Sequence, residues 1–223
     1  MPRYAISDIH GCHQTFLHLL DQLDFSQADE LFLLGDFIDR GPDSYGLIQT
    51  IFRLQDTGYR VHCLRGNHEQ MMLDALDSED DATYQRWLRN GGAATVRSIR
   101  NRDADRLLRW MDQLPHYLET EDYLFVHAGL DFSAPDPLQN TKALLWERHW
   151  HHDIDYRWLG ERTIVHGHTP IPRSQIEQML ERLPRRRVLD IDAGCAFTQH
   201  QKFGQLCAFH LDARTLTFVD ARE

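Results

Sequence analysis

A chain of 223 residues with 42% hydrophobic and 26% charged content has an ordinary globular composition, long enough to bury one sizeable core. Its formal net charge of −10 argues against a nucleic-acid backbone as the main partner, because phosphate backbones need a basic footprint. No apolar run is long enough to span a bilayer, no signal peptide is visible, and Cys12, Cys63, Cys195 and Cys207 lack zinc-site spacing, so a reduced, cytoplasmic protein with no membrane partner is expected.

Tyr4 to Ser7 reads as a first strand, and Asp8-Ile9-His10-Gly11 follows it directly. His13 to Leu23 carries Phe16, Leu17, Leu19, Leu20 and Leu23 at helical spacing. Asp8 and His10 are two positions apart, which in extended backbone points both to one side and suits two ligands of one ion. Alone, this fragment is better read as a capping aspartate and a surface histidine. Leu31-Phe32-Leu33-Leu34, ended by Gly35, reads as a buried strand entering a tight turn, and Asp36, Asp39 and Arg40 come straight after it. Charge at the end of a buried strand is expensive unless it is paired or holds a metal. By itself an Asp–Arg pair capping the turn explains that stretch equally well.

Ser44 to Thr57 reads as a helix stopped by Gly58. Val61 to Leu64 is a third strand, running into Arg65-Gly66-Asn67-His68-Glu69 and then the helical Gln70 to Leu76. Three times a short strand ends in a polar cluster and hands over to a helix. Open α/β sheets place ligands beyond the carboxyl ends of their strands, so the clusters are expected to converge. Trp87 with Asn90-Gly91-Gly92 reads as part of a helical cap beside the site. Tyr123 to Val126 ends in His127, Thr163 to Val165 ends in His166-Gly167-His168, and Val188 to Asp192 precedes Ala193-Gly194. Leu206 to Leu211 and Leu216 to Val219 read as a hairpin. His149, His151 and His152 read as a solvated loop, His166 as a non-ligand behind His168, and Arg185-Arg186-Arg187 as a solvated turn before a strand.

Asp8-x-His10-Gly11, Gly35-Asp36-x-x-Asp39-Arg40-Gly41, Arg65-Gly66-Asn67-His68-Glu69, His127-Ala128 and Gly167-His168 resemble the signature set of the phosphoprotein phosphatase branch of calcineurin-like metallophosphoesterases. The resemblance runs from Tyr4 to about Phe218. Gly66 to Met72, Trp87 to Gly92 and Gly167 to Pro170 resemble, more narrowly, the compact serine/threonine protein phosphatases of bacteria and phages, the bacteriophage lambda type. The resemblance implies an α/β (α+β) fold: a central β-sandwich flanked by helices, with a dimetal site at the strand C-terminal ends. It implies one domain over 1–223 with a helical cap around 76–113.

The activity implied is metal-dependent hydrolysis of phosphoserine and phosphothreonine, with phosphotyrosine as a further substrate, on phosphorylated proteins or peptides. The alternative is symmetrical hydrolysis of bis(5'-nucleosyl) tetraphosphates, with dinucleoside polyphosphates as partners. Mixed carboxylate, imidazole and amide donors favour two manganese ions, with iron or zinc next. Ions about 3.5–4 Å apart need a bridging carboxylate, and Asp36 is assigned to it. The pattern places Asp8 and His10 on the first ion, and Asn67, His127 and His168 on the second. His68 is the expected general acid, with Asp39 holding its far nitrogen. Arg40, Arg65 and Arg148 are the expected phosphate clamps. The segment Phe197 to Gly204 is longer than the tight turn the resemblance implies.

Overall fold

The computed structural model describes residues 1–223. Its strands are β1 (Arg3–Ile6), β2 (Glu30–Leu33), β3 (Arg60–Cys63), β4 (Tyr117–Glu119), β5 (Tyr123–Val126), β6 (Thr163–His166), β7 (Val188–Asp190), β8 (Gln205–His210) and β9 (Thr215–Asp220). They form a five-stranded sheet in the order β3-β2-β1-β8-β9 and a four-stranded sheet in the order β4-β5-β6-β7. The apolar runs are strands without polar alternation because both of their faces are covered. Ala5, Phe32 and Leu34 face Phe125, Val165 and Leu189 of the other sheet, and the Phe32 and Phe125 rings stack at 4.5 Å. Tyr4, Ile6, Leu31 and Leu33 face the opposite way, into helices packed on the outside. Leu124, Val126 and Ile164 form the far face of the second sheet, against Leu144, Trp150 and Leu159. The result is the expected mixed α/β architecture of two packed sheets with helices outside.

Parallel pairing decides where the polar clusters go. β1, β2 and β3 run parallel, with Ile6 beside Leu33 and Leu33 beside Cys63. β5, β6 and β7 also run parallel, with Phe125 beside Val165 and Val165 beside Leu189. Within each sheet the strands therefore release their next residues at one edge.

The helices α1 (His13–Gln22) and α2 (Ser44–Asp56) match the periodicity to within a residue or two. α3 (Asn67–Asp77) begins three residues earlier than its apolar spacing predicts, because Glu69 closes its first turn by accepting the Gly66 N–H at 2.9 Å. Asn67 and His68 thus sit on a rigid first turn rather than in a loop. α4 (Asp81–Trp87), a π-turn over Leu88–Gly92, α5 (Ala93–Ile99) and α6 (Asp105–Gln113) follow. Further on come α7 (Thr141–Trp146), the single turn α8 (Tyr156–Leu159) and α9 (Arg173–Arg186). α9 corrects the reading of Arg185 to Arg187 as a turn. Arg185 and Arg186 are its last turn, and Arg187 ends it in the left-handed region at φ 49°. No helix is long and apolar enough to cross a membrane.

Candidate metal centre

The strand ends converge. Two groups of potential ligand atoms lie within 4.8 Å of one another: His10, Asp36 and His68, and Asp36, His127 and His168. Asp36 belongs to both. Its Oδ2 is 3.4 Å from His10 Nε2 and 3.9 Å from His68 Nε2, and its Oδ1 is 3.4 Å from His127 Nε2. The turns that carry these groups are strained in a consistent way. Asp8, His10, Asp36, Asp39, Arg40 and His168 all have positive φ, between 50° and 74°. Such clustering of left-handed non-glycine residues is typical of functional sites.

The donor chemistry fits divalent cations. His127 Nδ1 faces the Leu34 carbonyl at 2.8 Å, so Nδ1 carries the proton and Nε2 offers a lone pair. That lone pair faces Asn67 Oδ1 at 2.9 Å, and His168 Nδ1 lies 2.9 Å from the same oxygen. The buried His168 Nε2 has no hydrogen-bond partner. His10 repeats the logic, with Nδ1 donating to the Ile38 carbonyl at 2.8 Å and Nε2 turned to Asp36 and to the Arg40 guanidinium. Burial lowers the pKa of His10 well below the ordinary histidine value, and burial with the neighbouring His127 pushes that of His168 down to about 2, so both rings are neutral as ligands must be. Asn67 thus lies against both His127 and His168. Asp8 is buried at the same edge, where its Oδ2 accepts the His168 N–H at 2.9 Å and the Ser7 hydroxyl, while His68 completes the trio around His10 and Asp36.

The supporting contacts include residues with no local signal in the sequence. Asp39, fully buried, accepts from His68 Nδ1 at 2.7 Å, from Thr95 Oγ1 at 2.6 Å and from the Trp87 indole at 3.0 Å. Trp87 therefore anchors the acid–imidazole pair rather than only flanking it. Gly91, at φ 116°, lets the π-turn approach Arg40, whose backbone N and Cγ would lie 2.8 Å from a Cβ there. Glu69 was unassigned in the sequence, yet its buried carboxylate accepts four backbone N–H groups: Asp36 and Gly66 at 2.9 Å, Phe37 at 2.8 Å and Ile38 at 3.3 Å. It ties the β2 turn to the β3 turn. Glu69→Gln turns a donating amide toward part of that set, and stability is expected to fall by roughly 2–4 kcal/mol, as for buried donors left unmet. Urea unfolding of the metal-free protein measures it.

The arginines divide. Arg40 reaches His10 and covers the Phe197 ring at 5.1 Å. Arg148 lies at the rim beside His168, with Nη1 donating to Thr169 Oγ1 at 2.9 Å. Arg65 is not brought to Asp36. Its Nη1 donates to Gln70 Oε1 at 2.8 Å and its Nη2 to the Asp112 carbonyl, because the early start of α3 draws the guanidinium toward that helix and α6. His151 departs from the solvated-loop reading: it is half-buried and its Nε2 meets His166 Nε2 at 2.8 Å. Asp190 and Asp192 are buried acids, the carboxyl of each pushed well above the usual carboxylate range, first by burial.

Comparison with known proteins supplies the family. In fold the chain is similar to a protein serine/threonine phosphatase from Saccharomyces cerevisiae, with a TM-score of 0.70 and 19% identity over 100% of this chain and 81% of that one. It is also similar to a candidate diadenosine tetraphosphatase, with a TM-score of 0.67 and 20% identity over 100% of this chain and 94% of that one. In sequence it is 36% identical over 132 residues to a symmetrical bis(5'-nucleosyl)-tetraphosphatase of Nitrosomonas europaea, covering 58% of this chain and 45% of that protein. A symmetrical bis(5'-nucleosyl)-tetraphosphatase of Pseudomonas putida is 37% identical over 134 residues, covering 58% of this chain and 43% of that protein. The chain spans less than half the length of these curated relatives. They are tetraphosphatases rather than phage-type protein phosphatases, and the narrower resemblance gives way to them. The family profile of calcineurin-like phosphoesterases matches residues 1–195. The chain belongs to the calcineurin-like phosphoesterase family, metal-dependent hydrolases of phosphate esters.

Proposed function

We propose that this chain hydrolyses dinucleoside tetraphosphates symmetrically, at a dinuclear metal centre bridged by Asp36. The similarity to two symmetrical tetraphosphatases carries the substrate reading. The site's surroundings agree with it. Of the exposed large apolar side chains two flank the centre: Trp146, 39% exposed, lies edge-on 6.1 Å from His168, and Phe197, 36% exposed, lies under Arg40. Exposed aromatic faces are platforms for nucleobases. In this reading the helices around 76–113 act as a cap that carries Trp87 to Asp39.

Asp8, His10, Asp36, Asn67, His127 and His168 would hold the two ions, which when bound supply Lewis-acid activation of water and of the phosphoryl oxygens. Arg40 and Arg148 orient the polyphosphate through guanidinium forks. Water adds to one of the two central phosphorus atoms, the central P–O–P bond breaks, and two nucleoside diphosphates leave. His68 gives its Nε2 proton to the departing phosphate oxygen, and Asp39 holds the opposite Nδ1–H.

The test is a substrate panel on metal-stripped protein reloaded with manganese, comparing diadenosine tetraphosphate with phosphoserine, phosphothreonine and phosphotyrosine peptides. Preference for the dinucleotide, with ADP as sole product, is expected; preference for the peptides would move the function to protein dephosphorylation at the same site. Phe197→Ala is expected to raise KM for the dinucleotide roughly 5- to 100-fold, the worth of one stacked base. Its kcat/KM for p-nitrophenyl phosphate should stay within about twofold, since only stacking is lost.

A further inference from the structure

Between α9 and the loop after Trp150 lies a cavity of about 180 Å³ lined by His151, His152, Met179, Arg182, Arg186 and Val188. Its polar lining is entirely of one kind: two guanidinium groups from α9 and two imidazoles from the loop after Trp150, with no acidic residue. This is unusual on a chain of net charge −10. The ion pairs near α9 are made by Arg173 at its start and Arg187 after its end, which leaves Arg182 and Arg186 without carboxylate partners. The negative end of the α9 dipole accounts for arginines in its last turns. It does not account for imidazoles closing the opposite wall. Burial, then the neighbouring His152 and Arg186, push the pKa of His151 down to about 4, as in a cavity whose field is positive.

The geometry points to a second anion site in this cavity, one that takes a small phosphate-class oxyanion between Arg182, Arg186 and His152, with His151 forming part of the wall. Guanidinium forks match tetrahedral oxyanions bidentately, and the His152 imidazole offers a further N–H. The volume is below the range of sites that enclose drug-sized ligands, so a nucleoside would have to stay outside. A cation is disfavoured by the two arginines. The site is wired to the metal centre. His166 Nδ1 lies 3.1 Å from the Gly167 carbonyl, which can only accept, so His166 Nε2 receives the His151 N–H at 2.8 Å. The same Gly167–His168 peptide donates its N–H to Asp8 Oδ2 at 2.9 Å. An occupant packed against His151 thus lies at one end of a hydrogen-bonded path whose other end is a proposed ligand.

Equilibrium dialysis with radiolabelled orthophosphate tests the site. It compares the wild type with R182Q/R186Q, each both metal-loaded and treated with chelator. The expected result is one more phosphate per chain in the wild type than in the double variant, in both metal states, with R182K/R186K retaining part of the binding. Circular dichroism and thermal unfolding confirm that these exposed substitutions leave the fold intact. Equal binding by wild type and R182Q/R186Q would overturn the site, as would no binding to the chelator-treated wild type. Competition with ADP separates two sources of the same chemistry: displacement at lower concentration than unlabelled orthophosphate identifies a nucleotide's terminal phosphate, and weaker displacement identifies free orthophosphate.

Discussion

Replacing Asp36 by Asn is expected to remove metal and activity together. Asp36 alone belongs to both ligand groups, so no neighbouring side chain can take over the bridge. The variant keeps the shape and the acceptor for the His68 backbone N–H, which Asp36 Oδ1 receives at 3.0 Å. What it loses is the charge. Burial raises the Asp36 carboxyl well above the usual carboxylate range, with Asp8 and Glu69 pushing the same way against His68 and Arg40, so a bound cation would favour the ionised form there. The sign follows. Metal must displace a proton from a group whose folded pKa is raised, so metal affinity falls as pH drops through that value, and loading releases protons. Asp36→Asn should release fewer protons on metal addition and lose the metal-dependent rise in Tm, while the metal-free Tm stays or increases because folding no longer has to protonate a buried carboxylate. Turnover should fall by about 10³-fold or more, ~4 kcal/mol of barrier. Elemental analysis with calorimetric proton counting checks this, and full metal occupancy with full activity would remove Asp36 from the bridge.

Much of this centre is legible in the sequence, because its proposed ligands sit at the ends of apolar runs whose lengths match buried strands. Leu31 to Leu34 has no polar alternation to confuse the reading, and Gly35 marks where it stops. The structure then needs only parallel pairing to bring Asp36, Asn67, His127 and His168 together. What could not be read is what supports them. Thr95 and Trp87 reach Asp39 from distant parts of the chain, and no local spacing encodes a hydrogen bond made by tertiary packing. Glu69 looked like the continuation of a motif, and its four N–H partners become visible only when two turns meet. α9 had a signal that went unread: Ile176, Met179, Leu180 and Leu183 recur at helical spacing among arginines and glutamates. Substrate choice was illegible for a different reason. The residues proposed to hold metal and phosphate are shared across the resemblance, whereas Trp146 and Phe197 are exposed side chains outside any motif.

His68→Asn separates two roles that its position leaves equally accessible. His68 stands in the trio with His10 and Asp36, which suits a ligand, and its Nδ1 is bound to Asp39 at 2.7 Å, which suits an oriented acid. Both Nε2 and the ring plane face the centre, where the His10 ring lies edge-on at 4.7 Å. As an acid, His68 can be removed without touching the metals. The loss should then follow the basicity of the leaving group: about 10²–10⁴-fold where an alkoxide must be protonated, and less where a nucleoside diphosphate or p-nitrophenolate leaves readily without help. Comparing diadenosine tetraphosphate, p-nitrophenyl phosphate and an alkyl phosphate on one preparation of His68→Asn therefore gives a graded loss, with two metals per chain retained. Asp39→Asn should reproduce the grading more weakly, since it removes the orienting carboxylate and keeps the imidazole. A uniform loss across all three substrates, accompanied by loss of one metal, would instead make His68 a ligand and leave the proton to come from solvent.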